Sequence, residues 1–295
     1  MPLQPIPDII GQAMRHGYAI GYFESWNLES LQGVIDAAEL SRSPVIIGFN
    51  GEFLSQPDRI EKERLDWYAA LGCAAAASAS VPCGFIFNEC SDDSWVRRAI
   101  TAGFNLVMPV PAQGETAAQY TARVSALAEY AHGKAVAVEA ELGTLPFGAG
   151  GQAAGGETTD PRQMAEFVAA THIDLMAISV GNVHVLLNGR QALDIDRLAA
   201  LRKAVPTPFV LHGGTGIDDE SLRQAIALGV AKVNYGTGLK QHYLDAVRRA
   251  LADPDPNPHH LLGYGGDADV LGAGRRAVRD AVLDKMDILG CKGRA

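Results

Sequence analysis

Glu24, Asn88, Glu89, Glu141, His184, His212 and Asn234 each stand at or just past the end of a short β-branched or apolar run. Two histidines and two carboxylates brought to one rim make a divalent-metal set. A His2Glu set with an open position suits catalytic zinc, and an added carboxylate also admits manganese or iron. A single polar residue at such a place ordinarily caps a helix or bonds locally, so it is the joint placement that points to a metal. His16, His132, His172, His242, His259 and His260 fall in helix-like or loop stretches without that convergence.

Two glycine-bearing turns carry a second signal, His212-Gly-Gly-Thr-Gly216 and Asn234-Tyr-Gly-Thr-Gly238. Glycine lets backbone N–H groups turn toward an anion, and a helix N-terminus adds favourable partial charge. Thr215 and Thr237 add hydroxyl donors. The plainer reading is two tight turns with helix caps. Neither turn is a Walker loop or a dinucleotide fingerprint, so nucleotide binding is not implied.

These residues need a scaffold that gathers strand ends. Strand-like runs occupy 18–23, 44–49, 83–88, 105–110, 135–141, 174–180, 208–212 and 231–235. Helix-like stretches follow each of them, at 28–40, 58–71, 92–102, 116–132, 161–171, 195–205, 220–228 and 239–251. Strands with few alternating polar residues suit a parallel sheet covered by helices. Eight such units predict an α/β fold, a (β/α)8 TIM barrel, over a doubly wound open sheet. No linker divides residues 1–295, which read as one domain with an extra C-terminal helix at 275–289. The long connection at 143–159, in which five of the nine residues Gly148–Gly156 are glycine, is read as a lid because of its length and of the candidate residues on either side of it. The small-residue run 74–80 is either a close-packing seam or a helix end.

Composition narrows the classes. The 295 residues carry 25 basic and 34 acidic side chains, a net charge of −9, which does not suit general nucleic-acid binding. No apolar run reaches the ~20 residues of a membrane span, and Met1–Gln12 shows no secretory pattern. Cys73, Cys83, Cys90 and Cys291 have neither CxxC spacing nor a disulfide framework, so a reducing cytoplasm is expected. Glycine is in excess, at 32 residues, and ten of these fall in 148–156, 213–216 and 236–238.

The motifs Asn27-Leu-Glu-Ser, Ser43-Pro-Val-Ile, Val138-Glu-Ala-Glu-Leu-Gly143, Thr159-Asp-Pro, Gly181-Asn-Val-His184, Leu211-His-Gly-Gly-Thr-Gly216 and Lys232-Val-Asn234 come in an order that resembles the class II (metal-dependent) fructose-bisphosphate aldolases. Their tagatose-bisphosphate and other ketose-bisphosphate relatives are similar too. The closing run Lys285-Met-Asp-Ile-Leu-Gly-Cys-Lys-Gly resembles the family's ending. The resemblance implies a zinc-type barrel that cleaves a phosphorylated ketose through a metal-stabilised enediolate. It implies metal ligation by His184 and His212 with Glu141 at the metal site, and substrate or phosphate contacts from Gly181, Gly213, Gly214, Thr215, Asn234, Gly236 and Thr237. It also implies a homodimer or homotetramer.

Departures concentrate at the chemistry. Where the family has Asp-His after strand 3, this chain has Asn88-Glu89. Asn cannot exchange a proton, a function that contributes typically ~10²–10⁴-fold. Glu89 can still ligate a metal, with different charge and softness. The family's Asn after strand 1 is Glu24, its Asp after strand 4 is Val110, and the Gly after the strand-6 histidine is Val185. The family's acidic lid residues are missing apart from a nearby candidate, Glu157. The expectation is an altered aldolase acting on a phosphorylated or otherwise anionic carbonyl compound. Glu89, His184, His212 and Glu141 would form its metal site, Asn88 would stand at the acid position, and Glu24, Glu157 or Glu141 would handle protons. The alternative is a non-catalytic ligand-binding protein on the same barrel.

Overall fold

The structure is a computed structural model and describes residues 3–142, 147–148, 158–183, 185–186, 189–252 and 254–295. His184, Glu157 and most of the expected lid at 148–156 therefore lie outside the described residues, as does the side chain of Val185.

Eight parallel strands close into a barrel: β1 (Ile20–Glu24), β2 (Val45–Asn50), β3 (Cys83–Cys90), β4 (Leu106–Pro109), β5 (Ala137–Glu141), β6 (Leu175–Ala177), β7 (Phe209–Leu211) and β8 (Val230–Tyr235). Each pairs with its neighbours in sequence, and β1 closes on β8 through Ile20↔Lys232 and Tyr22↔Asn234. The expected (β/α)8 barrel is present. A separate short parallel pair, Phe147–Gly148 with Val185–Leu186, links the segments after β5 and β6.

The helices are α1 (Ile6–His16), α2 (Leu28–Ser41), α3 (Gly51–Ser55), α4 (Leu65–Ser78), α5 (Asp93–Ala102), α6 (Ala117–His132), α7 (Pro161–Thr171), α8 (Ile195–Ala204), α9 (Asp219–Ala227), α10 (Thr237–Ala250), α11 (Pro258–Leu261) and α12 (Val270–Ile288). Three differ materially from expectation. The helix expected at 58–71 begins at Leu65 and ends at Ser78, which makes the 74–80 run largely a helix end. Residues 58–64 are mostly charged and Ile60 is exposed, so that stretch has no apolar face to bury. The sequence reading also passed over α1, whose Ile6, Ile9, Ile10 and Ala13 are buried against the lower end of the barrel. Gly84, at the start of β3, makes room for α1, since a Cβ there would lie 2.7 Å from Ile6 Cδ1.

The terminal helix α12 starts five residues earlier than expected and packs on α2 and α10. Arg275 grips Asp36 of α2 through two contacts of 2.6 and 2.7 Å, and Gly274 lets the Tyr243 ring of α10 lie against α12. This brace steadies α10, whose first turn faces the barrel mouth. The cysteines are free thiols, and no helix among the described residues is long and apolar enough to cross a membrane.

Candidate active site

A line of polar side chains rises through the barrel interior. Lys232 of β8 and Glu139 of β5 are fully buried, with Nζ 2.8 Å from Oε2. Burial alone would raise the Glu139 carboxyl, but Lys232 and His212 outweigh it and hold it below its ordinary range. Burial also pulls the Lys232 ammonium down, against the attraction of Glu139. His212, just past β7, sits above this pair. Its Nε2 lies 3.0 Å from Glu139 Oε1 and 3.0 Å from Asn234 Nδ2, and its Nδ1 lies 2.9 Å from Glu89 Oε1. Burial would lower the imidazole, yet the two carboxylates push it up to about 10. Lys232 also donates to Asn234 Oδ1 at 2.5 Å. Asn182 fixes the His212 main chain by donating to its carbonyl at 3.1 Å.

Glu89 reaches this cluster through an irregular backbone. The sequence reading put Asn88 and Glu89 after strand 3, whereas β3 runs through both to Cys90. In a regular strand, neighbouring residues point to opposite faces. Here the register with β4 shifts between Phe87 and Cys90, and Glu89 has φ 55. Such bulges re-aim side chains near active sites. Both residues consequently line one cavity. Glu89 Oε2 accepts from Asn50 Nδ2 at 2.6 Å, while Asn88 Oδ1 is buried with no hydrogen-bond partner among the described residues.

That cavity, about 650 Å³, opens where the strands end. Of the residues expected to act, Glu24, Asn88, Glu89, Glu141, His212, Gly213, Thr215, Asn234, Gly236 and Thr237 all line it. Gly214 and Gly181 do not, although Gly181 has the left-handed φ of 95 typical of glycine. Gly214 instead backs the β7 turn against β8. A Cβ there would lie 2.7 Å from both Tyr235 and Val233 side chains and 3.0 Å from the Asn234 carbonyl. Gly214→Ala is expected to destabilise the protein by about 1–3 kcal/mol through overpacking. A thermal melt that matches the parent would show that the turn can simply back away.

The β7 and β8 turns are also joined directly, since Thr215 Oγ1 accepts from the Gly238 N–H at 3.2 Å. Across the mouth, Arg123 of α6 holds the segment after β4 that carries Val110, Pro111 and Gln113 into the wall. It donates to Glu115 at 2.8 Å, to Asp93 at 2.7 Å and to the Val110 carbonyl at 2.7 Å.

A catalytic-looking rim above a filled parallel barrel is shared by many enzymes. The family model for fructose-bisphosphate aldolase class-II matches residues 4–294. The chain belongs to the class II fructose-bisphosphate aldolase family. It is 32% identical to the fructose-bisphosphate aldolase of Geobacillus stearothermophilus over 307 aligned residues, covering 100% of this chain and 99% of that one. A sulfofructosephosphate aldolase of Alkalicoccus urumqiensis is 27% identical, with 97% and 96% of the two chains covered. The crystal structure of the YdjI aldolase from Escherichia coli K12 superposes with a TM-score of 0.83 at 30% identity, covering 99% of each chain. The family places this chain among the aldehyde-lyases.

For this class II aldolase chain, the donor set fits a divalent cation on one observation. His212 turns Nδ1 toward the cavity beside the Glu89 carboxylate and gives its far nitrogen to buried Glu139. A carboxylate behind a ligating histidine is the usual support for a metal site. Among the described residues no group of three His, Cys, Asp or Glu side chains is arranged to hold an ion, and His184 lies outside them. Glu141 is on the cavity wall, whereas it is Glu139 that contacts His212. The sequence reading passed over Glu139, Lys232, Asn50, Asn182, Tyr22 and Lys240. Glu139 shares strand parity with Glu141, and Lys232 is a charge within a buried strand that demands a partner. Those two signals were available in the sequence.

Proposed function

We propose that this protein is a divalent-metal-dependent aldolase that cleaves or forms a phosphorylated ketose or a related anionic carbonyl compound. The observation that carries the reading is His212 set between Glu89 and Glu139, at the floor of a cavity rimmed by the 213–216 and 234–237 turns. Glu89, His212 and His184 would hold the metal, zinc first and manganese or iron next, with Glu141 nearby. When bound, the cation polarises the substrate carbonyl and stabilises the negative charge that develops as the carbon–carbon bond breaks.

The chain's own groups supply the rest. Gly213, Thr215, Gly236 and Thr237 offer backbone N–H groups and hydroxyls to the anionic group, with Gly181 at the adjoining β6 end. Asn88 presents a buried carbonyl oxygen that can accept from a substrate hydroxyl and orient it, while proton transfer falls to Glu24, Glu141 or Glu157. Cleavage requires a base to take the hydroxyl proton as the carbon–carbon bond opens, and an acid to return a proton to the carbon left behind. The placement of Asn88, where an acid is expected, also favours a second reading, a binding protein that has lost the reaction. A screen of phosphorylated ketoses for released aldehyde, with the protein's metal content measured in parallel, separates the two. Aldehyde release that a chelator abolishes and added metal restores is the expected result. Metal-free folded protein that retains sugar phosphates without cleaving them would establish the binding protein instead.

A further inference from the structure

We propose that Glu24 is an internal occupant of the anion site: its carboxylate rests at the start of α10, Lys240 holds it there, and the anionic group of the substrate displaces it. The inference rests on the aldolase reading for the identity of the incoming group, and on geometry for the rest. Glu24 is the last residue of β1 and is largely buried. Its Oε1 lies 2.5 Å from Lys240 Nζ. Its Oε2 lies so close to Gly236 that a Cβ built there would be 2.3 Å away. Gly236 is the N-cap of the 14-residue helix α10 and brings no capping side chain of its own. The carboxylate thus sits at the positive end of a helix, in the kind of place that favours a phosphate.

Two buried polar atoms in the same cavity wall remain for a ligand to meet. The Tyr22 hydroxyl, two residues before Glu24 on β1, and Asn88 Oδ1 have no hydrogen-bond partner among the described residues. Lys240 is placed to serve either anion. Its ammonium lies 4.4 Å from the Phe53 ring centre and 5.7 Å from that of Trp26, and its side chain is one-third exposed. An ion pair whose lysine is one-third exposed is partly screened by solvent and can exchange partners. A dianion arriving at Gly236 and Thr237 would meet Glu24 at short range, and like charges that close repel. Displacement resolves the conflict: Lys240 turns to the substrate, and the Glu24 carboxylate swings into the cavity, where a proton can be exchanged.

Calorimetric binding of inorganic phosphate to the full chain at fixed ionic strength tests this. Glu24→Gln removes the competing charge and is expected to tighten binding by ~10-fold or more. Lys240→Met should weaken it by a similar factor. Glu24→Ala is the second variant, in case the glutamine reoccupies the same place, and should tighten binding likewise. Unchanged or weaker phosphate binding in both Glu24 variants overturns the proposal, as does an absence of binding in the parent and all variants. The result is separable from the catalytic reading. Parent protein that cleaves a ketose phosphate while the Glu24 variants bind phosphate no better leaves the aldolase standing and removes the internal occupant. Tighter phosphate binding without any cleaved ketose does the reverse.

Discussion

Lys232→Met is expected to lower the unfolding free energy by about 3–5 kcal/mol, the scale for leaving one member of a buried ion pair without its partner. The ammonium is fully buried beside Glu139 at 2.8 Å and also donates to Asn234, so methionine fills the volume but leaves a carboxylate facing the gap. For a chain of this length the melting temperature should fall by roughly 2 °C per kcal/mol. Replacing both members, Lys232→Met with Glu139→Gln, should recover part of the loss, because the uncompensated charge is gone. A thermal melt of the two variants reads this directly. A single variant as stable as the parent would mean that His212 alone satisfies Glu139.

On the proposed metal-dependent reading, His212→Ala is expected to abolish metal retention and to cut aldol cleavage by about 10²–10³-fold or more, the scale for losing one electrostatic stabiliser of a transition state. Elemental analysis of dialysed protein and an aldehyde-release assay measure the two effects separately. Glu139→Gln is the graded companion. It keeps the shape but removes the charge behind the imidazole, and supports of this kind are typically worth ~10–100-fold in metal affinity. Full metal occupancy in His212→Ala would exclude His212 as a ligand and reduce it to a structural link between Glu89 and Glu139. His212→Ala is expected to stay folded, whereas Glu139→Gln also leaves buried Lys232 without its carboxylate and is expected to lose stability on the scale of the Lys232 change, so its metal affinity is read below its lowered melting temperature.

The rim was legible because polar residues interrupt apolar runs at their ends, and a barrel brings strand ends together whatever their spacing in sequence. Glu24, His212 and Asn234 are on one cavity wall for that reason. What lay inside strands was harder to see. Glu89 belongs to β3 and reaches the cavity through a register shift that no local pattern announces. Glu139 was passed over in favour of Glu141, although both lie on the same face of β5. Lys232 stands in a family motif, and its role shows only once a charge inside a buried strand is matched to a partner across the barrel, which is Glu139. The helix expected at 58–71 took in the charged residues 58–64, which lie outside α4, and α1 was missed because the first twelve residues were weighed only against a secretory pattern, which they do not show.

The left-handed backbone at Glu89 limits what mutation can do with this site. At φ 55, a β-branched residue is sterically shut out, while glycine, asparagine and aspartate fit with least strain. Holding another residue there costs on the order of 1–3 kcal/mol, which the surrounding structure must offset. A library randomised at position 89 would therefore be filtered by backbone shape before it is filtered by chemistry. Position 88 carries no such restriction. New activities in this barrel should arise more readily from exchanges at Asn88, with the bend beside it kept as a fixed hinge for the evolving pair.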